Sequence, residues 1–348
     1  MSAPKNQAAW LVNAGEPLLV SDAPLPTPGP GEMVVKNRAV AINPIDCHMQ
    51  DIGIFVQQWP TILGADIAGE VYAVGPDVQN FKKGDRVIGH TINMITGRPE
   101  DGAYAQYVVV PVNQAAILPD EISYTNGVVV PFALVTAVHA LSNKVPSAAM
   151  PGVLTPALDL PFPSLEPSPI GKTLVVYGGS SSVGAMTIQL AKAAGIYVIA
   201  IAGAHNADLC RRCGADEVFD HKDPAVVERV LAAIAKSGNE LAGIVDPISS
   251  AGSYAHDIAI LAKQGGGQIA GSHPPPVEVP AAVKAGMFYA VSDIAAPVWK
   301  DYVTPALKAG KLQCLPPPTV VGKGLEFVQE GLKKSNAGVS GIKVVIEL

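Results

Sequence analysis

Thr173-Leu174-Val175-Val176-Tyr177-Gly178-Gly179-Ser180-Ser181-Ser182-Val183-Gly184 is the stretch that decides the fold of this chain. The apolar, largely β-branched run 173–177 has the length of a buried parallel strand, and 185–194 reads as a helix stopped by Gly195. A second apolar run, 196–201, follows that helix and completes a βαβ unit. Small residues between strand and helix let the backbone approach a ligand closely. The first helical turn adds free N–H groups and the positive end of the helix dipole. The turn formed by Gly178, Gly179, Ser180, Ser181, Ser182, Val183 and Gly184 is therefore expected to hold a dinucleotide pyrophosphate. Ser181 stands where a middle glycine is usual, so the assignment rests on the strand and helix around the turn.

The end of the second strand selects the dinucleotide. Enzymes that use NAD place Asp or Glu roughly 20 residues after the glycine turn, where the carboxylate accepts the ribose hydroxyls. Here the chain reads Ala202-Gly203-Ala204-His205-Asn206, without a carboxylate, so NADPH is the expected cofactor. A 2′-phosphate would be met by the amides of Gly203 and Ala204, by Asn206, and by His221 with Lys222 after the next strand, 217–219. The competing reading of His221 and Lys222 is a solvated strand end.

At 348 residues the chain is longer than one core usually supports, which predicts two domains. A net charge of −6 and the absence of basic runs argue against nucleic acid as a partner. No uncharged apolar run of membrane-spanning length is expected, nor an apolar leader after Met1-Ser2-Ala3-Pro4-Lys5, which predicts a cytoplasmic protein with no membrane partner. Of the four cysteines, Cys210 and Cys213 form a lone C-x-x-C pair late in a helix predicted over 206–213. No second pair completes a zinc site, so free thiols are expected.

From residue 10 to about 110 the chain alternates short strands with glycine and proline, with strands predicted at 33–40, 68–74, 86–89 and 105–110. A helix is predicted over 124–142. Residues 145–171 are rich in proline, serine and leucine with no periodicity, and read as a surface excursion. Strand and helix then alternate to about 271, and a last strand is predicted at 343–348.

Taken together, Ala41-Ile42-Asn43-Pro44-Ile45-Asp46, Leu63-Gly64-Ala65-Asp66-Ile67-Ala68-Gly69, Lys83-Gly84-Asp85-Arg86-Val87, Gly102-Ala103-Tyr104-Ala105-Gln106-Tyr107, the glycine turn and Cys213-Gly214-Ala215-Asp216 resemble the medium-chain dehydrogenase/reductase superfamily over essentially the whole chain. Within it, Pro44-Ile45-Asp46-Cys47-His48, Val176-Tyr177-Gly178-Gly179-Ser180-Ser181 and Ala204-His205-Asn206 are similar to fungal trans-acting enoyl reductases and the wider ToxD-like group. The resemblance implies an α/β protein. A GroES-like β-barrel catalytic domain (1–130 and 305–348) would accompany a doubly wound parallel-sheet Rossmann domain (131–304, including a Pro-rich excursion at 143–171), with a cleft between them. It further implies cofactor contacts from Pro44, Ile45, Asp46, Cys47 and His48, and from Gly271 and Ser272 after the strand 268–270. Ser340 and Gly341 in the C-terminal loop would reach the pyrophosphate, with Lys343 a further charged candidate.

Zinc members of the superfamily take a cysteine ligand at the position of Asn43 and a histidine at that of Ala65, so no metal is expected here. Hydride transfer without a Lewis acid suits an activated C=C bond, whose reduction leaves an enolate that hydrogen-bond donors and a proton source can meet. The implied catalytic residues are His48, Thr136 and Asn43. His48 is read as proton donor, as a cofactor contact, or as a histidine paired on its own helix turn; lovastatin-type members carry lysine there. The expected substrate is a small-molecule or carrier-bound enoyl or enone group, with a synthase as partner in the carrier-bound case. The expected protein is a monomer or homodimer. A quinone reductase of the same superfamily and a non-catalytic NADPH-binding protein are the alternatives.

Overall fold

The structure, a computed structural model, describes residues 4–150, 153–289 and 292–348, without the side chains of 147–150. It divides into two compact units: Met1–Phe132, Trp299–Ala309 and Pro317–Leu348 in one, Ala133–Val298 and Gly310–Pro316 in the other. The second crossing between units thus falls near residue 299 rather than 305, and a short stretch after Ala309 returns to the second unit.

The first unit is built on a sheet whose order is Pro318–Lys323, Lys343–Glu347, Glu32–Ala41, Asp66–Val74, Arg86–His90, Ala115–Ile117, with Tyr107–Pro111 also pairing to Glu32–Ala41. Leu19–Ala23, Asn6–Leu11 and Thr61–Ile62 form a smaller sheet. Residues such as Val35, Val40, Ile67, Val87 and Val108 alternate inward along these strands and fill the core. Gly102 and Gly69 allow the backbone to close on itself, since a Cβ there would lie 2.0 Å from Ile62 O and 2.2 Å from Lys36 O.

The second unit is a parallel sheet of order Glu217–Asp220, Tyr197–Ala202, Lys172–Tyr177, Glu240–Asp246, Gly267–Gly271, Val283–Met287. Its strands are nearly continuous apolar runs because helices cover both faces. The order reverses between Lys172–Tyr177 and Glu240–Asp246, the point where ligands of doubly wound sheets bind.

Three local expectations are corrected. The helix over 124–142 is broken into Tyr124–Gly127 and Pro131–Ser142, because Pro131 lacks an N–H and starts a new helix. The same stretch, Tyr124–Ser142, does reach the length and apolarity of a membrane span, against the expectation that no such run exists; 83% of it is buried, as in a core helix. The excursion at 145–171 is partly ordered: Ser147–Met150 pairs with Val153–Thr155. Thr155 Oγ1 donates to Met287 O at 2.8 Å, and Gln268 bonds both backbone groups of Ala157. The excursion therefore covers the Val283–Met287 edge, where open strand groups need partners.

Candidate functional site

The first group of functional candidates lies in the barrel unit, around the helix Pro44–Ile52. Asn43 precedes Pro44 at its N-terminus, and its N–H donates to the Asp46 carboxylate at 2.8 Å. The Tyr104 hydroxyl donates to the same Asp46 oxygen at 2.8 Å, and burial pushes the Asp46 pKa up to about 6. Asn43 Nδ2 donates to Asp66 Oδ2 at 2.9 Å, while Lys343 Nζ donates to Asn43 Oδ1 at 2.5 Å and lies 3.0 Å from Asp66 Oδ2. The second Asp66 oxygen accepts the N–H of Phe132 at 2.6 Å. All of these side chains are nearly inaccessible, Lys343 at 3% and Asp66 at 0% included.

This geometry corrects several readings. Lys343 is a buried ion-pair partner of Asp66, not a surface cation reaching for phosphate, because a lone buried ammonium requires a carboxylate. Asn43 has both ends of its amide committed within the protein. Asp46 and Cys47 turn into the barrel core, the Cys47 thiol bonding Leu332 O at 3.5 Å, so only their backbones remain for a ligand. Pro44 and His48 are exposed on the same helix and Ile45 is half-buried. Ser340 is exposed and Gly341 takes a left-handed φ of 65° just before Lys343–Glu347.

The position of Ala65 is followed by Asp66, whose cross-strand neighbour is His90. His90 is 1% exposed, neither ring nitrogen has a hydrogen-bond partner, and burial pushes its pKa down to about 4. It packs 5.9 Å from the Phe132 ring. Among the described residues, no three His, Cys, Asp or Glu side chains group as a metal set, and all four cysteines are free.

In the second unit the glycine turn has the form a dinucleotide needs. Gly178 adopts φ 67°, and a Cβ on Gly184 would sit 2.2 Å from Gly178 O, so only glycine brings the helix Ser182–Ala193 this close to the strand. Ser181 caps the helix through Gly184 N at 3.0 Å. The amides of Ser182 and Val183 precede the first intrahelical bond, Ala185 N to Ser181 O, and point an anion-binding end outward. Ser180 is tied to Asn206, whose Nδ2 donates to Ser180 Oγ at 3.1 Å, which joins the turn to the loop after Ala202. Gly203 lies between two imidazoles: a Cβ there would be 2.8 Å from His205 Cε1 and 3.6 Å from His221 Cε1. The helix expected from 206 starts at Ala207, with Ala204–Asn206 forming a preceding 3-10 turn.

Sequence reading missed Asp220. Strand pairing sets it directly across from Ala202, so a carboxylate does stand at this end of the sheet, supplied by the neighbouring strand. It accepts Lys222 N at 3.1 Å and lies 3.6 Å from His221 Nδ1. The pairing of 199–202 with 217–220 is what would have revealed it. Ser272 N donates to Ser249 Oγ and Ser272 Oγ to Pro247 O, both near 2.9 Å, which fixes Gly271 and Ser272 at the carboxyl end of Gly267–Gly271. Thr136 is 3% exposed within Pro131–Ser142.

Residues 29–120 match the family of alcohol dehydrogenase GroES-like domains, and residues 182–290 the zinc-binding dehydrogenase family. Over 345 residues the chain is 66% identical to the dehydrogenase orsE of Emericella nidulans, covering 99% of each. It is 37% identical to the trans-enoyl reductase himH of Aspergillus japonicus, covering 99% of this chain and 97% of that protein. A mycobacterial protein solved with NADPH shares the fold at a TM-score of 0.70 and 22% identity, covering 99% of this chain and 100% of that one. The barrel, the parallel sheet with its glycine turn, and these full-length likenesses lead to one conclusion: the chain belongs to the medium-chain dehydrogenase/reductase superfamily and is an oxidoreductase of that group.

Proposed function

We propose that the protein reduces the activated C=C bond of an enoyl or enone substrate, small or carrier-bound, with NADPH and without a metal. The observation that carries the reading is the Asn43–Asp66–Lys343 cluster. Where zinc relatives would gather anionic and imidazole ligands, this chain holds an ammonium group hydrogen bonded to Asn43 and paired with Asp66. A cation already fills the electrostatic role there, and Coulomb repulsion opposes a second one. Relatives named trans-enoyl reductases support the substrate class.

The glycine turn fits a pyrophosphate, and a Cβ would fill the approach at Gly184. Gly178 to Gly184 would hold it, while His205, Asn206, His221 and Lys222 would surround the adenosine ribose and its 2′-phosphate. When bound, NADPH supplies the hydride. His48, exposed on its helix, supplies the proton to the substrate enolate.

The test combines two measurements on the intact protein. Fluorescence titration is expected to give NADPH at least about tenfold tighter binding than NADH, a difference of roughly 1.4 kcal/mol. Turnover with NADPH is expected on enoyl thioesters and enones, unchanged after chelation. Equal cofactor affinities would remove the NADPH assignment. Turnover of quinones alone would replace the substrate class, and chelator-sensitive turnover with stoichiometric zinc would overturn the metal-free reading.

A further inference from the structure

Two aspartates lie side by side beneath the switch point of the parallel sheet. Asp246 ends the strand Glu240–Asp246 and Asp257 lies on the helix Ala251–Lys263; both are 0% exposed. Asp246 is well supplied with donors. Its Oδ1 accepts Ile248 N at 2.8 Å and Ser249 N at 3.0 Å, and its Oδ2 accepts Ser253 Oγ at 2.6 Å. Neither oxygen of Asp257 has a hydrogen-bond partner, and Asp257 lies one turn along the helix from Ser253, whose hydroxyl is bound to Asp246, which sets the two carboxyls on the same side. A carboxylate buried without a donor or a cation is strongly disfavoured, and two adjacent buried carboxylates more so. One proton resolves both: a neutral Asp257 donates to Asp246, which keeps its charge on the loop amides.

The loop that depends on Asp246 is under constraint. Ser249 holds a left-handed φ of 48°, unfavourable for a residue with a side chain. Ser249 Oγ accepts Ser272 N at 2.8 Å and would lie 2.6 Å from a Cβ on Gly271, and Ile248 Cγ1 would lie 2.4 Å from one on Gly178. Residues 247–250 therefore bridge the glycine turn and Gly271–Ser272, the two sequence segments read as cofactor contacts.

We propose that Asp257 is a protonated positioning residue: it donates its carboxyl proton to Asp246, and the pair holds the loop 247–250 in its strained form against Gly178 and Ser272. The ionisable groups within electrostatic reach are Asp246, Tyr254 and Tyr177, the last bonded to His256, and none of them supplies a fixed cation. The helix Val226–Ser237 and the strands Gly267–Gly271 and Val283–Met287, packed on this helix, turn Val226, Val230, Ile234, Ile269 and Val283 into the shared core, and the charge acting on Asp257 is that of Asp246. Burial and the Asp246 charge raise the Asp257 pKa well above its ordinary value, and burial raises that of Asp246. The stabilisation from a raised carboxyl pKa is complete below the unfolded value, about 3.9, and is lost as pH rises through the folded value. The pair thus loosens the loop as pH rises above the unfolded value.

The loop's place in cofactor binding rests on the function proposed above; the proton and the loop geometry do not. The test therefore needs no cofactor. Infrared difference spectra of the wild-type protein against Asp257→Asn at neutral pH are expected to show one protonated carboxyl band that the variant lacks. Hydrogen exchange at the Ile248 and Ser249 amides is expected to stay unchanged in Asp257→Asn, whose side-chain N–H replaces the acid proton. In Asp257→Leu it is expected to quicken by about tenfold or more. Wild-type protein is expected to lose stability with rising pH more steeply than Asp257→Asn. Absence of the carboxyl band, or exchange in Asp257→Asn as fast as in Asp257→Leu, would overturn the proposal. With both results as expected, an NADPH titration that shows no binding would count against the cofactor reading alone.

Discussion

Lys343 illustrates what a single residue owes to its surroundings. In the sequence it is a lysine near a C-terminal loop; in the fold it is a 3% exposed ammonium held by Asn43 and Asp66. Removing the ammonium leaves Asp66 buried with its charge uncompensated, a change that costs on the order of 3–5 kcal/mol. Lys343→Met is expected to lower the unfolding free energy by about that amount in urea denaturation, and Asp66→Asn in the same chain to recover part of it. A fully additive double variant would show that the two side chains are not coupled. Asp220 is a second case. Its carboxylate is invisible to a rule that counts residues from the glycine turn, because strand pairing rather than chain distance brings it beside Ala202. Asp220→Asn is expected to strengthen NADPH binding more than NADH binding, by a few-fold at low salt, since it removes negative charge near a 2′-phosphate. Titration of both nucleotides checks this.

At the level of elements, the legible parts were those whose pattern is local. The strand-turn-helix around Gly178 and the strands at 32–41, 66–74 and 343–347 follow from apolar periodicity with glycine at the turns. The hairpin formed by Ser147–Met150 and Val153–Thr155 was not legible, because its partner is the distant edge Val283–Met287, and short prolyl segments carry no period. Gly286 marks that contact: a Cβ there would lie 1.8 Å from Leu154 O. Gly286→Ala is expected to displace the strand Val153–Thr155 and to speed proteolysis within 145–171, while cleavage elsewhere stays unchanged. Unaltered cleavage would mean that the excursion docks without this close approach. The glycine turn itself was readable as a phosphate cradle, whereas the tie between Ser180 and Asn206 required the fold.

Across the whole molecule, buried ionisable groups set the response to pH. Burial pushes His90 and His139 down to about 4, so each stabilises the folded protein fully above the unfolded histidine pKa, about 6.5, and less as pH falls toward 4. Asp46, raised to about 6, acts in the opposite sense: its contribution is complete below about 3.9 and is lost as pH rises through 6. Asp101, Asp246 and Asp257 are raised in the same sense as Asp46, so the imidazole contribution is read by difference: relative to wild type, the denaturation midpoint of His90→Leu is expected to rise as pH falls from 6.5 to 4.5. The family and both folds were readable from motif order, yet the chemistry was read only as far as residue types allow, since Asn43 alone does not disclose that Lys343 occupies its amide. Hydride transfer to the C=C bond is tested most directly with NADPH deuterated at its transferable position together with an enoyl thioester. One deuterium is expected on the β-carbon of a saturated thioester and none elsewhere. Deuterium on a carbinol carbon, or no transfer to any enoyl or enone acceptor, would contradict it.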